Sequence, residues 1–384
     1  MRVLIVGIDG YLGWTLAMYL GKMGYEVYGT DNGSRRKNVE EVGSWSATPI
    51  TSLVKRTSMF HDIFKIPIIT STVDVTNTDE TYGFFNFVEP HVVVHLGEQP
   101  SAPYSMMGPK HANYTQTNNI VGTNNILFAM RDVTPEAHLV KLGTMGEYGT
   151  PNLDIPEGFF EIEYRGRKDT MVFPKNAGSF YHLSKVHDSE NIRFACKTWD
   201  LRSTDIMQGP VYGVVADETT PFELLTRFDF DGVFGTVINR FTAQAIIGEP
   251  LTPYGSGGQT RGYLSLVDSM KCMKLAIDNP PFSGEYRVFN QFDRTYGIND
   301  LARRVCKVAK EFGLNPTIDN IENPRIEKEE HYYNPDHSKL ENLGYIPTRS
   351  LEDELRITIP ILMKYKDRIE AKKEAMKPKV KWSK

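Results

Sequence analysis

Tyr181 and Lys185 stand four residues apart in a stretch with helical periodicity, which puts both side chains on one face. A tyrosine ionises near pH ~10 and is a poor base at neutral pH. A neighbouring ammonium favours the phenolate. A tyrosine so placed can take the proton of a hydroxyl while hydride leaves the same carbon. Alone, Tyr-x-x-x-Lys is as readily an ordinary helix-surface pair. Thr144 changes the balance, because it closes a predicted strand and brings its hydroxyl to the end of a sheet.

A hydride needs an acceptor, and the first turn of the chain offers a place for one. Gly7-Ile8-Asp9-Gly10-Tyr11-Leu12-Gly13 follows an apolar run and opens a helical pattern. In that setting Gly7 permits a tight turn, Gly10 lets the backbone approach a pyrophosphate, and Gly13 lets helix and strand pack closely. Phosphates would rest on the helix N-terminus, where free N–H groups point at them. Asp31 ends the second predicted strand, with Asn32 beside it, at the distance of a ribose-binding acid. Its carboxylate would repel a 2′-phosphate and so favours NAD over NADP. Arg35 and Arg36 leave the choice open, because arginine there could hold that phosphate. Asp74-Val75 and Leu96-Gly97 follow the third and fourth strands, and in an open α/β sheet the ligand lies along that edge.

The elements that position these groups read clearly over the first 150 residues. Apolar β-branched runs at Val3–Val6, Glu26–Thr30, Ile68–Val73, His91–His95 and Leu139–Leu142 alternate with helical patterns near Leu12–Gly24, Glu80–Val88 and Asn113–Met130. A helix at Ala177–Thr198 and a strand at Arg202–Met207 extend the series. That order predicts an α/β fold: a Rossmann-type doubly wound parallel sheet with a smaller, interleaved C-terminal substrate-binding lobe. The expected division is 1–210 for the dinucleotide domain, 211–350 for the lobe with returning sheet elements, and 351–384 for a helix and basic tail. Segment 32–67 shows no clear period and is too long for a simple turn, so it is expected to be a functional insertion.

Composition closes off several classes. With 384 residues, 40% hydrophobic, the chain can bury a sizeable core. Its formal charge of -4 gives no overall drive toward nucleic acid or anionic lipid. Residues 371–384 carry six Lys and one Glu, which leaves -9 on the body and suggests a solvated tail. Three scattered cysteines form no zinc spacing and no disulfide framework. No apolar run is long enough to span a bilayer, and no signal or transit peptide precedes Val3. A cytoplasmic protein without a metal, a nucleic-acid partner or a membrane insertion is expected.

Thr–Tyr–Lys after a glycine-rich first turn resembles the extended short-chain dehydrogenases that act on nucleotide sugars. Within them the chain is most similar to the UDP-sulfoquinovose synthase family. Thr144-Met145-Gly146-Glu147-Tyr148-Gly149-Thr150-Pro151, Phe180-Tyr181-His182-Leu183-Ser184-Lys185-Val186-His187-Asp188, Gln208-Gly209 before Val211-Tyr212-Gly213, and Gly257-Gly258-Gln259-Thr260-Arg261-Gly262-Tyr263 carry the similarity. The resemblance implies that UDP-glucose and sulfite give UDP-sulfoquinovose and water on tightly bound NAD, through 4-keto and 5,6-ene sugar intermediates. It also implies a homodimer formed through the helices around Tyr181 and Asn113–Met130. The formal class expected is a hydrolase.

Tyr181, His182 and Glu147 are the candidate proton carriers, and His182 is as readily structural. Sugar 4,6-dehydratases carry Asp-Glu directly after the threonine, where Met145 and Gly146 stand here. Against the cofactor the resemblance adds Asn118, Gln208 and Val211, and for the nucleotide sugar it points to Gln99, Ser101, Gln208, Thr236, Asn239, Thr252, Arg261 and Arg325. The family pattern has Arg where Pro100 stands, which removes one cation. Two other readings stay open: a UDP-sugar epimerase or dehydratase, and a non-catalytic NAD-sensing protein on the same fold.

Overall fold

In the computed structural model the description covers all residues except 218–219, 327, 329 and 383–384. Twelve strands are formed: β1 Arg2–Val6, β2 Glu26–Thr30, β3 Ile68–Ser71, β4 Val92–His95, β5 His138–Thr144, β6 Phe159–Tyr164, β7 Arg167–Val172, β8 Arg202–Gln208, β9 Val211–Tyr212, β10 Thr260–Ser265, β11 Tyr286–Gln291 and β12 Arg294–Gly297. Seven of them build one parallel sheet in the order β11-β8-β5-β4-β1-β2-β3. The order reverses between β1 and β4, which opens a crevice at their carboxyl ends. The doubly wound fold expected from the alternating pattern is therefore present.

Register decides what meets at that edge. Val6 pairs with Thr30 and with His95, and Thr144 pairs with Gln208, which in turn pairs with Gln291. The glycine turn after β1, Asp31 after β2 and Thr144 at the end of β5 thus share one side of the sheet. Both faces are covered. On one, Trp14, Leu16, Leu20, Met270 and Met273 pack against Val3, Ile5 and Val94. On the other, Ile126, Met130, Ile192 and Cys196 pack against Leu4, Val93 and Leu139.

The smaller sheet, β12-β10-β9, belongs to a second core with the helices Val237–Ile247, Ile298–Glu311 and Leu351–Met363. The C-terminal helix is a structural part of that core through Leu351, Leu355, Ile359 and Leu362. β6 and β7 make a separate hairpin that the sequence pattern did not reveal, turning at Arg165 and Gly166, both with positive φ.

Two expectations are corrected. Segment 32–67 is not aperiodic: it contains helices Ser34–Glu41 and Leu53–Phe64, which are short and mostly polar on the outside. The helical run near Asn113–Met130 is two helices, Pro109–Gln116 and Gly122–Val133, joined by a π-helical turn at Thr117–Val121. Among the described residues no helix is long and apolar enough to cross a membrane. No group of three or more His, Cys, Asp or Glu side chains there could hold a metal ion.

Candidate active site

A cavity of about 700 Å³ runs along the carboxyl edge of the main sheet and into the smaller lobe. Its first half is built by the glycine turn. Gly7 has φ +87°, and a Cβ there would lie 2.6 Å from the Leu96 carbonyl carbon. A Cβ on Gly13 would lie 2.2 Å from the Gly7 oxygen. Gly10 caps helix Tyr11–Lys22 without a side-chain hydrogen bond, so the first N–H groups of that helix are left for an anion. This cradle fits the pyrophosphate of a dinucleotide. Tyr11, Leu12, Val75, Leu96, Gly97, Gln208 and Val211 line the same half, and Val73 joins them.

Asp31 stands where the adenosine ribose of such a dinucleotide would lie. Its carboxylate accepts from the Asp9 N–H at 3.0 Å and the Gly33 N–H at 2.8 Å, which fixes its orientation. Burial and the nearby Asp9 charge push its pKa up. Asn32 lines the cavity beside it.

The two arginines left open by the sequence are engaged elsewhere. Arg36 holds Asp9 with two bonds, at 2.6 and 2.8 Å, and gives the rest of its guanidinium to the Ile50 and Thr51 carbonyls. It does not face the cavity, and its assignment to the cofactor is corrected. Arg35 does line the cavity, but it is paired with Asp229 at 2.6 Å and stacked on Phe234. Arg56, unnoticed in the sequence, is fully buried and also bonds Asp9. The inserted helices therefore grip the glycine turn from behind through Asp9.

The reacting groups converge at the centre. Helix Phe180–Trp199 is capped by Ser179, whose Oγ accepts from the His182 N–H, so Tyr181 sits in the first turn facing Thr144. Burial, then the Glu98 charge, push the Tyr181 pKa above its ordinary value, and a hydrogen bond with Thr144 works against that rise. Lys185, whose ammonium was expected to favour the phenolate, is itself engaged. Its Nζ donates to the Leu142 carbonyl at 2.6 Å and lies 2.5 Å from Glu98 Oε2. Burial opposes the Glu98 charge, but Lys185 holds its pKa below the usual range. Behind it His95 is drawn down to about 4 by burial and is neutral at pH 7. Asp31 and Glu98 are the carboxylates among the described lining residues.

His182 lines the cavity next to Tyr181, with ring centroids 5.0 Å apart. Its Nδ1 is 3.0 Å from Ser179 Oγ. Its Nε2 sits over Gly146, where a Cβ would approach to 2.3 Å. The glycine in place of the dehydratase carboxylate is thus what admits the imidazole. Burial, then the Arg325 and Arg261 charges, hold its pKa at about 3.

Glu147 is corrected. It is fully buried and turned away from the cavity. Its Oε2 accepts from Lys175 at 2.7 Å and Ser189 at 3.1 Å, and its Oε1 accepts from the Thr144 N–H at 3.3 Å. It braces the end of β5 and has no route to a sugar.

In the second half, Ser101, Thr236, Arg261 and Arg325 line the cavity as expected, and Pro100 faces it without a charge. Five other assignments fail on orientation. Gln99 bonds Thr115 and Ser101, and Asn118 bonds Asn119. Asn239 bonds the Asp229 carbonyl, and Thr252 bonds Gln244. Asp74 bonds Thr76. Arg240, Tyr254 and Gln259 take the place of Asn239 and Thr252 on the wall. Arg240 follows Asn239 directly, Tyr254 lies two residues past Thr252, and Gln259 lies two before Arg261, so only side-chain direction separates them from the positions chosen.

The NAD dependent epimerase/dehydratase family model matches residues 3–290. The chain is 49% identical over 384 residues to the chloroplastic UDP-sulfoquinovose synthase of Spinacia oleracea, covering all of this chain and 79% of that protein. It is 48% identical over 389 residues to the UDP-sulfoquinovose synthase of Sulfolobus acidocaldarius, covering all of this chain and 98% of that one. Among solved structures, the UDP-glucuronic acid 4-epimerase of Bacillus cereus in complex with UDP-glucuronic acid and NAD superposes with a TM-score of 0.70 at 20% identity, covering 95% of this chain and 99% of that one. The UDP-glucose 4-epimerase of Thermotoga maritima with UDP-glucose gives a TM-score of 0.69 at 19% identity, covering 95% and 99%. These two show the fold. The full-length relatives are synthases, which corrects the expected hydrolase class. With its glycine cradle, its Thr144–Tyr181–Lys185 set and this identity along its whole length, the chain belongs to the NAD-dependent epimerase/dehydratase family, on its UDP-sulfoquinovose synthase branch.

Proposed function

We propose that the chain joins sulfite to the glucose of UDP-glucose, releasing water and forming UDP-sulfoquinovose. One arrangement supports this above all: a neutral imidazole, His182, stands beside Tyr181 in the space that a dehydratase gives to a carboxylate. When bound, NAD supplies a hydride acceptor for carbon 4 at the start and a donor at the end. Tyr181 takes the proton of the 4-hydroxyl, and Thr144 holds that hydroxyl by a hydrogen bond. The 4-ketone so formed acidifies the proton on carbon 5. His182, neutral at pH 7, takes that proton and passes it to the departing 6-hydroxyl, which leaves as water.

The remaining 5,6-ene is conjugated to the ketone. The sulfur lone pair of sulfite adds to carbon 6, and carbon 5 takes a replacement proton from solvent, relayed by His182. Hydride return to carbon 4, with the Tyr181 proton going back to its oxygen, closes the cycle with no net redox change. Arg261 and Arg325 supply positive charge for the diphosphate and sulfite, a load made heavier by Pro100. Binding of those anions offsets the two cations that hold His182 down and so raises its basicity toward its task. The test omits sulfite: UDP-glucose incubated with the NAD-loaded enzyme in heavy water should return with deuterium at carbon 5. Oxidation at carbon 4 with no deuterium at carbon 5 would refute the enone route.

The proposal includes a homodimer. Val121, Phe128, Phe180, Leu183 and Phe194 are exposed on the neighbouring helices around Gly122–Val133 and Phe180–Trp199, and these side chains would form the pairing surface.

A further inference from the structure

The lysine-rich end of the chain does not float free as its composition suggests. The Ala375 carbonyl accepts from the Gly232 N–H at 2.8 Å. A Cβ on Gly232 would lie 2.9 Å from the Lys377 oxygen, so tail and loop touch backbone to backbone. Lys379 Nζ donates to the Val42 carbonyl at 3.4 Å. Val380 packs on the cluster of Val39, Val42, Tyr104, Val233 and Phe234. The Trp382 N–H donates to the Pro324 carbonyl at 3.1 Å. The tail thus crosses from the inserted helix beside the glycine turn to the loop bearing Arg325.

At the end of this crossing the Trp382 indole lines the cavity, half-buried, 5.6 Å from the Arg325 guanidinium. Arg240 and Arg261 line the same cavity as Arg325 and Trp382. A diphosphate held by Arg325 would carry its nucleoside to within reach of the indole face. Tyr254, another aromatic lining this cavity, has Arg240 over its ring at 4.2 Å, closer than Arg325 lies over Trp382, and bonded to its hydroxyl. We propose that Trp382 is the stacking surface for the pyrimidine of the nucleotide sugar, brought to the cavity by a docked C-terminal strap. The proposal rests on the UDP-sugar reading and adds a binding residue to it. A flat π-face pressed on a base gives binding that tolerates loss of hydrogen-bond partners but not loss of the ring.

The test is UDP binding to the full-length, NAD-loaded enzyme, followed by calorimetry and by tryptophan emission. Trp382→Ala should bind UDP on the order of 5- to 150-fold more weakly, the range for one aromatic–base stack. Trp382→Phe should keep most of the affinity yet lose the UDP-induced quenching seen in the unaltered enzyme, a signature that a merely structural tail would not remove. UDP affinity within twofold of normal in Trp382→Ala, or quenching that persists in Trp382→Phe, would overturn the proposal. Failure of the unaltered enzyme to bind UDP would instead overturn the UDP-sugar reading.

Discussion

At the residue scale the account turns on which groups touch the sugar and which only hold those that do. Tyr181→Phe should lower turnover on the order of a hundred- to ten-thousand-fold, the usual cost of removing a general base, while UDP-glucose binding persists. Near-normal turnover would mean that another group takes the 4-hydroxyl proton. His182 and Glu147 separate more sharply. His182→Asn should still oxidise carbon 4 but lose deuterium incorporation at carbon 5. Glu147→Gln should keep that exchange in whatever fraction stays folded, because its carboxylate is tied to Lys175 and Ser189 below the site. Its cost should fall on stability, at about 3–5 kcal/mol for breaking a buried ion pair, read by urea denaturation. The opposite pattern, with exchange lost in Glu147→Gln and kept in His182→Asn, would reverse the two roles. The sequence made Glu147 attractive because it is the nearest carboxylate after Thr144. Side-chain direction is not legible in one dimension: the turn after β5 sends Glu147 inward, and the first turn of helix Phe180–Trp199 brings His182 to the cavity. Glu98 was missed for the same reason: nothing in Leu96-Gly97-Glu98-Gln99 tells which acid faces the cavity.

At the scale of elements, the inserted helices and the glycine turn act as one unit. Asp9 is held below the usual carboxylate range, against its own burial, by Arg36 and Arg56 from the two inserted helices. Arg36 is partly exposed, so Arg36→Met should fold, but with a looser turn it should lose NAD during gel filtration that the unaltered enzyme keeps. Equal NAD content in the two proteins would show that the turn needs no bracing. Strands β1 and β4 were legible because each is a short apolar run buried on both faces, and the ends of the expected main-sheet strands fell within two residues of the structure. The inserted helices were not, since Ser34–Glu41 buries one hydrophobic residue, Val39, and offers no stripe to read. The π-helical turn at Thr117–Val121 was equally hidden, because a one-residue widening leaves the sequence periodicity almost unchanged.

At the scale of the whole molecule, buried histidines set an acid limit. His138 is held at about 3 and His95 at about 4, in both cases first by burial. The unfolded chain takes up these protons near the ordinary value of 6.5 and the folded chain does not. The stability tied to these two histidines is therefore complete above that pH and declines as pH falls toward 4. Glu157 and Glu354, pushed up to about 7 by burial, act in the other sense, with their contribution present below the ordinary value of 4.5 and lost as pH rises through 7. Going from pH 7.5 to 5, the urea midpoint of the unaltered protein should therefore fall relative to that of His138→Gln, which lacks this buried imidazole. A steeper fall in the variant would contradict this linkage. The proposed dimer face makes Phe194→Asp a monomer in sedimentation, and a dimer unchanged by it would place the interface elsewhere. The central claim, carbon–sulfur bond formation by this chain alone, is tested most directly by mass spectrometry of the purified protein incubated with UDP-glucose and sulfite. The account predicts UDP-sulfoquinovose that appears only when sulfite is present and disappears in Tyr181→Phe. An isomerised or dehydrated UDP-sugar formed equally with and without sulfite, and no sulfonated product, would contradict it.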